Sequence, residues 1–267
     1  MPHFSKFRFI LPGLAVILSV VMSGCSWLPD QIDETKDWSA SRLYNEAKSE
    51  LNGENYEEAI KYFGILETRY PFGRYARQAQ IEIAYAYYKF DEPDTALAAV
   101  DRFMKLYPTH PHVDYAYYLR GIINYNRGFT LIERFFPQDP ASRDPGAAKQ
   151  AFFDFQKLIQ KFPNSHYAQE AKLRMLYLRN NLANYEILVA RYYMKRSAYV
   201  AAVNRAKYVL EHYDRSAAVY NALIIMAEAY DKLDMPDLAK DTRRVFASSY
   251  PKDYQQLKRS KRWWNIF

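Results

Sequence analysis

The chain has 267 residues, 49% of them hydrophobic, with only 8 glycines, one cysteine and a net charge of +7. That is ample apolar material for a sizeable core, and the shortage of glycine argues against an all-β fold or a glycine-loop nucleotide site. A lone cysteine excludes any intramolecular disulfide, so the fold must be held by packing.

At the N-terminus, Lys6 and Arg8 precede an apolar run from Phe9 to Met22 that is interrupted by Pro12-Gly13. A bilayer core of about 30 Å takes roughly 20 apolar residues to cross. This run is shorter and broken, and residues 1–24 read as a secretory signal peptide whose loss lowers the charge from +7 to +5. Met22-Ser23-Gly24-Cys25 resembles the bacterial lipobox, with Met22 where leucine is usual. Cys25 is therefore expected to carry N-acyl and S-diacylglycerol groups, and several acyl chains together anchor a protein durably. No other cofactor is expected. Ser26, which is not aspartate, favours the outer membrane by the enterobacterial sorting pattern. Residues 25–37 read as the lipidated terminus and a tether.

Beyond the tether, one template recurs five times: a small residue, an alanine 12 later, and a helix stop 12 after that. The alanines are Ala59, Ala96, Ala151, Ala202 and Ala239, and the stops are Pro71, Pro108, Pro163, Asp214 and Pro251. Proline lacks the N–H that would continue a helix. The small residues are Ala47, Ala84, Ala190 and Ala227, with Gly121 in the third repeat if about 18 residues are inserted there. The pattern resembles the tetratricopeptide repeat. It predicts an all-α superhelix of five helical hairpins, with Phe63, Phe103, Phe155, Val209 and Phe246 filling the space between them. Three repeats occupy residues 38–165, with an insertion over 128–146, and two occupy 166–257; 258–267 is a basic tail bearing Trp263 and Trp264.

In such hairpins, one face of each first helix lines a common groove. Counting three before, one after and four after the small residue selects Tyr44, Lys48 and Leu51, then Ile81, Tyr85 and Tyr88, then Tyr118, Ile122 and Tyr125. The fourth repeat contributes Ile187, Arg191 and Met194, and the fifth Ile224, Glu228 and Asp231. The expected face is thus tyrosine-rich in the first three repeats and charged in the last two. Phenols suit extended peptides with aromatic side chains, and two readings stand: an open groove, or rings covered by neighbouring helices. Tyr87, Tyr193 and Tyr230, three residues after their small residue, are expected to pack between helices.

No catalytic signature occurs. His3, His110, His112, His166 and His212 form no zinc-spaced set, and His110-Pro111-His112 reads as turn material. The insertion contains Phe135-Phe136-Pro137, read either as packed over a repeat end or as a ligand for a partner. The tail cluster of Lys258, Arg259, Lys261 and Arg262 reads as a solvated helix end or a contact to lipid head groups. Nucleic acid is disfavoured for an exported chain.

A closer resemblance rests on Arg69-Tyr70-Pro71-Phe72-Gly73, Ala86-Tyr87-Tyr88-Lys89, Asp101-Arg102-Phe103, Pro108-Thr109-His110-Pro111 and Val203-Asn204-Arg205. These stretches are similar to the BamD family, the tetratricopeptide lipoproteins of the β-barrel assembly machine. The resemblance implies a non-enzymatic, periplasm-facing scaffold on the outer membrane. Its N-terminal repeats would take the C-terminal signal of unfolded outer-membrane proteins, with Arg69, Tyr70 and Phe72 joining Tyr44, Tyr85, Tyr88, Tyr118 and Tyr125. Its C-terminal repeats would dock on a POTRA domain of the barrel-forming subunit through Arg205, with Arg191 nearby, and other assembly lipoproteins would be further partners. On this basis Arg205→Glu is expected to break docking with helicity intact. A second reading, of a different class, is a peptidoglycan-associated lipoprotein serving DNA uptake.

Overall fold

A computed structural model describes residues 33–127 and 145–260, with side chains to 257. The signal peptide, Cys25, residues 128–144 of the insertion with Phe135-Phe136-Pro137, and the Trp263-Trp264 tail lie outside the described residues. The chain divides into two compact units, Met1–Ser39 and Ala40–Phe267. In the first, Asp33 caps a turn by accepting hydrogen bonds from the Thr35 amide at 3.0 Å and its hydroxyl at 2.6 Å.

The second unit is built from helices alone among the described residues. They are α1 (Ala40–Asn52), α2 (Tyr56–Arg69), α3 (Arg74–Lys89), α4 (Pro93–Leu106), α5 (Val113–Asn126), α6 (Pro145–Lys161), α7 (Ala168–Lys195), α8 (Tyr199–His212), α9 (Ala218–Lys232), α10 (Pro236–Ser249) and α11 (Pro251–Ser260). Each helix from α1 to α11 packs on the next, and first helices of successive hairpins also touch, α1 on α3, α3 on α5 and α7 on α9. This is the tetratricopeptide arrangement expected from the repeat. The template's alanines are all buried, as are Phe63, Phe103, Phe155, Val209 and Phe246. Each large side chain removed from water contributes about 1.5–3 kcal/mol, and the small partners let helices approach closely enough to enclose it.

Among the described residues, the turns within four hairpins share one backbone solution. Glu54, Asp91, Ser197 and Asp234 adopt φ of 63°, 63°, 57° and 57°, and the following amide bonds back to the carbonyl of Glu50, Tyr87, Tyr193 or Tyr230 at 2.9–3.0 Å. This six-residue closure satisfies carbonyls that the helix end would otherwise leave unpaired. Gly53, the residue best suited to positive φ, is not the one that adopts it; Glu54 is. Tyr87, Tyr193 and Tyr230 pack against the cores, as expected of their positions.

Turns between hairpins follow another rule. The residue before each stop is aromatic: Tyr70, Tyr107, Phe162, Tyr213 and Tyr250. Its amide closes the preceding helix, at 2.8–2.9 Å in every case. Where proline follows, the residue before it is pushed out of the helical region. Tyr107 and Tyr250 lie 5.6 and 5.4 Å from Phe103 and Phe246, so the ring also lids the core of its own hairpin.

Two features depart from the template. From Pro163 to Ala190 is 27 residues, where the other hairpin junctions span 13, and the surplus forms helix. α7 is 28 residues long as a result, about twice its counterparts, or roughly 42 Å at 1.5 Å per residue. Its first half completes the core of α5 and α6 through Ala171 and Leu178; its second half, from Ala183 to Met194, packs with α8 and α9. The boundary drawn between 165 and 166 therefore falls just before a helix that both halves share. Pro251, in turn, stops α10 and also opens α11, since proline at the first helical position forfeits no bond. Tyr254 and Leu257 of α11 cover Ile224 and Phe246.

Candidate functional site

The first-helix positions separate cleanly by chemistry. Leu51, Ile81, Ile122, Ile187, Met194 and Ile224 are buried, and of these only Leu51 and Ile81 reach the wall of a cavity. The tyrosines at Tyr44, Tyr85, Tyr88, Tyr118 and Tyr125 are all half-buried. Such a position keeps the ring fixed by packing on one side and offered to solvent on the other.

Neighbouring rings extend them into a row. Tyr44 lies 5.3 Å from Tyr75, which in turn sits under the Arg74 guanidinium at 4.7 Å. Tyr85 is 6.3 Å from Tyr88, whose hydroxyl accepts a hydrogen bond from Asn126. Tyr118 stacks on Tyr167 at 4.6 Å, and Tyr115 meets the same ring at 5.5 Å. Tyr125 faces Tyr177 at 6.1 Å, with Arg174 over its ring at 4.8 Å. Tyr118 and Tyr125 are thus partly covered by the long helix α7 and the turn before it, whereas Tyr85 opens onto a cavity.

That cavity, of about 480 Å³, is lined by Lys48, Ile81, Tyr85, Lys89, Tyr115 and Tyr167, among others. Lys48 is held by Glu82 at 3.1 Å, and Lys89 lies over the Tyr56 ring at 5.6 Å. Burial raises the Tyr44 phenol to about 12, helped by the negative charge of Glu82. Burial does the same for Tyr118, to about 12, with the hydrogen bond and charge of Glu170 adding to it. Both remain protonated hydrogen-bond donors at any physiological pH. The surface can therefore stack on aromatic groups, and the Tyr44 hydroxyl can donate to a peptide carbonyl, whereas the one O–H of Tyr118 is given to Glu170.

Tyr75, Tyr115 and Tyr167 were not singled out by the repeat spacing. Tyr115 stands one turn before Tyr118 on the same helix face, so the frame could have found it. Tyr167 precedes α7, where the surplus residues break the count.

Arg69 ends α2, Tyr70 and Phe72 lie in the turn that follows, and none of the three lines this cavity. Tyr70 holds the aromatic closing position found in every repeat, its amide donating to the Leu66 carbonyl at 2.9 Å. Phe72 is 96% exposed. An aromatic ring so completely in water, between Arg69, Arg74 and Arg77, is unusual for a packing residue.

The C-terminal pair also separates. Arg191 donates to Asn221 at 3.1 Å, tying α7 to α9. Arg205 of α8 donates to Glu186 of α7 at 3.0 Å. Glu186 is 2% exposed and Arg205 44%. Arg205 was expected to await an acidic partner; it already holds a buried one within its own chain. His110 and His112 are turn residues, the first packed 5.2 Å from Phe103. Among the described residues no His, Cys, Asp and Glu group could hold a metal, and no helix is long and apolar enough to cross a membrane.

Comparison with known proteins agrees with this architecture along its length. The profile of the YfiO family, described as outer membrane lipoprotein, matches residues 36–245. The outer membrane protein assembly factor BamD of Neisseria gonorrhoeae is 47% identical over 242 residues, covering 90% of this chain and 91% of that protein. The protein of the same name from Vibrio cholerae is 38% identical over 225 residues, covering 84% and 92%. That from Haemophilus influenzae is 34% identical over 250 residues, covering 93% and 94%. The match takes in every hairpin from α1 to α10, so the chain belongs to the YfiO/BamD family of outer membrane lipoproteins.

Proposed function

We propose that the chain is a lipid-anchored scaffold of outer-membrane protein assembly, which receives unfolded barrel proteins by their C-terminal aromatic signal and docks on a POTRA domain of the barrel-forming subunit. The half-buried tyrosines of the first three repeats, with Tyr85, Tyr115 and Tyr167 lining the 480 Å³ cavity, carry this reading. Fixed rings on helices offer stacking at little entropic loss, and protonated phenols supply donors to an extended backbone. Docking is assigned to the C-terminal repeats through Arg205, and anchoring to acylated Cys25.

Detergent-solubilised full chain should bind a peptide that ends in the aromatic barrel signal. Tyr85→Ala with Tyr118→Ala is expected to weaken binding roughly tenfold, since each aromatic contact is worth about 0.5–1.5 kcal/mol. Unchanged affinity by fluorescence anisotropy would remove the groove. Phe72→Ala is the sharper probe of the α2–α3 turn than Tyr70→Ala, because a ring in water can be removed without opening a core. Intact-mass analysis of membrane-extracted protein should find the chain beginning at an acylated Cys25, and Cys25→Ser should shift the protein out of the membrane fraction; a Cys25→Ser chain that stays membrane-bound would refute the anchor.

A further inference from the structure

We propose that a second copy of this chain packs antiparallel on the exposed face of α7, forming a two-fold dimer. The inference depends neither on the client reading nor on Arg205. Among the described residues, no other helix leaves so many large apolar side chains in water. Leu173 is 61% exposed and Tyr192 54%, and Leu176, Tyr177 and Leu188 are open as well. A run of apolar surface this long on a folded chain marks an interaction face. The opposite side of α7 is already occupied, since Ala171, Leu178, Ala183 and Ala190 are buried in the chain's own cores.

The order of side chains along this face fits a second copy of itself. At 3.6 residues per turn, Leu173, Tyr177, Leu188 and Tyr192 fall within about 100° of the helix circumference. Asn181 and Asn184 fill the middle of the same stripe, and Glu170 and Lys195 stand at its two ends. The successive gaps are 3, 4, 4, 3, 4, 4 and 3, which read the same in both directions. That 11-residue spacing stays close to the natural helical turn, so the stripe runs almost straight along α7. Turned end over end about the point between Leu182 and Ala183, position 170 meets 195, 173 meets 192, 177 meets 188, and 181 meets 184. A two-fold interface demands this self-complementarity, because every contact occurs twice with the roles exchanged. Apolar groups then meet apolar groups, and the paired asparagines fix the register. Charge also selects the antiparallel direction. Glu170, held by Arg174 at 2.6 Å, remains 47% exposed, and Lys195 is exposed with no ion pair in its own chain among the described residues. Antiparallel packing sets that acid against that base, whereas parallel packing would set each against its like. The arginines at the edges of the stripe, Arg174 and Arg191, are engaged within the chain by Glu170 and Asn221.

Light scattering of the full-length chain in detergent should report the protein mass of a dimer at micromolar concentration. Leu188→Glu alters an exposed side chain that would meet the partner's Tyr177. The change enters the two-fold interface twice and is expected to weaken dimerisation about a hundredfold. Glu170→Lys and Lys195→Glu should each weaken it about tenfold. The double change Glu170→Lys/Lys195→Glu should restore it, because the exchanged charges meet again across the two-fold axis. Glu170 also holds Arg174 and accepts from Tyr118, so a merely structural role predicts that the double change does no better than Glu170→Lys alone. Circular dichroism checks that each variant is folded. A monomer at every concentration would overturn the dimer and leave the face to another protein or to residues 128–144 of the same chain. A dimer indifferent to Leu188→Glu would overturn this face as its seat, and failure of the charge exchange to restore it would overturn the antiparallel register.

Discussion

Arg205→Glu is expected to lower the melting temperature of the C-terminal hairpins by roughly 6 °C or more, at about 2–4 °C per kcal/mol for a chain of this size. The substitution removes the partner of Glu186 and sets a second carboxylate where the guanidinium lay 3.0 Å away. Breaking a buried pair from one side costs about 3–5 kcal/mol, and the exposure of Arg205 places this case toward the lower figure. Glu186 lies in α7 against α8, so the loss should concentrate in α7, α8 and α9. Repeat stabilities couple chiefly to nearest neighbours, and hydrogen exchange should show α1 to α4 still protected. The sequence expectation that helicity survives this change is thus revised, because it assigned Arg205 to a partner and did not include the pair with Glu186 within the chain. Co-purification lost in Arg205→Glu would report unfolding as much as docking. Arg205→Lys separates the two.

Phe155→Ala is expected to destabilise the third hairpin by about 3–5 kcal/mol, the usual loss for a buried aromatic ring. The ring is fully buried between α5, α6 and α7, 6.2 Å from Tyr118, so its removal also loosens the tyrosine face. Gly121 makes the complementary case. A Cβ at Gly121 would come within 2.4 Å of Cε1 of Phe155 and 2.6 Å of Cδ1. Gly121→Ala should therefore destabilise the hairpin by about 1–3 kcal/mol through overpacking, against a gain of about 1 kcal/mol in helix propensity. In the background of Phe155→Leu the clash is relieved, and the two changes should be strongly non-additive in urea melts. Additive losses would mean that ring and backbone do not share the space the geometry assigns them.

The hairpins were readable because their constraint is steric and periodic. Gly121 was placed across an insertion by counting alone, and the Phe155 ring lies against it. The length of α7 was not readable, since its added turns carry ordinary helix formers and no proline or glycine marks them. The tyrosine face was half readable. Spacing selected the face, but which rings α7 and Tyr167 would cover depends on that same uncounted stretch. Arg205 shows the third limit: a charge written in sequence does not reveal that a glutamate 19 residues earlier neutralises it.

α7 touches Tyr125 through Tyr177 about a third of the way along and holds Arg205 through Glu186 at about two thirds, within one unbroken helix. A straight helix is stiff, and sharp bends arise at proline, at glycine or where the ladder of bonds is interrupted; α7 contains neither residue. The tyrosine face and the Arg205–Glu186 pair are in that sense bolted to a common girder. Any flexing between the two ends of the superhelix must come from the shorter joints on either side, because swinging one end of this spar alone would mean unwinding it.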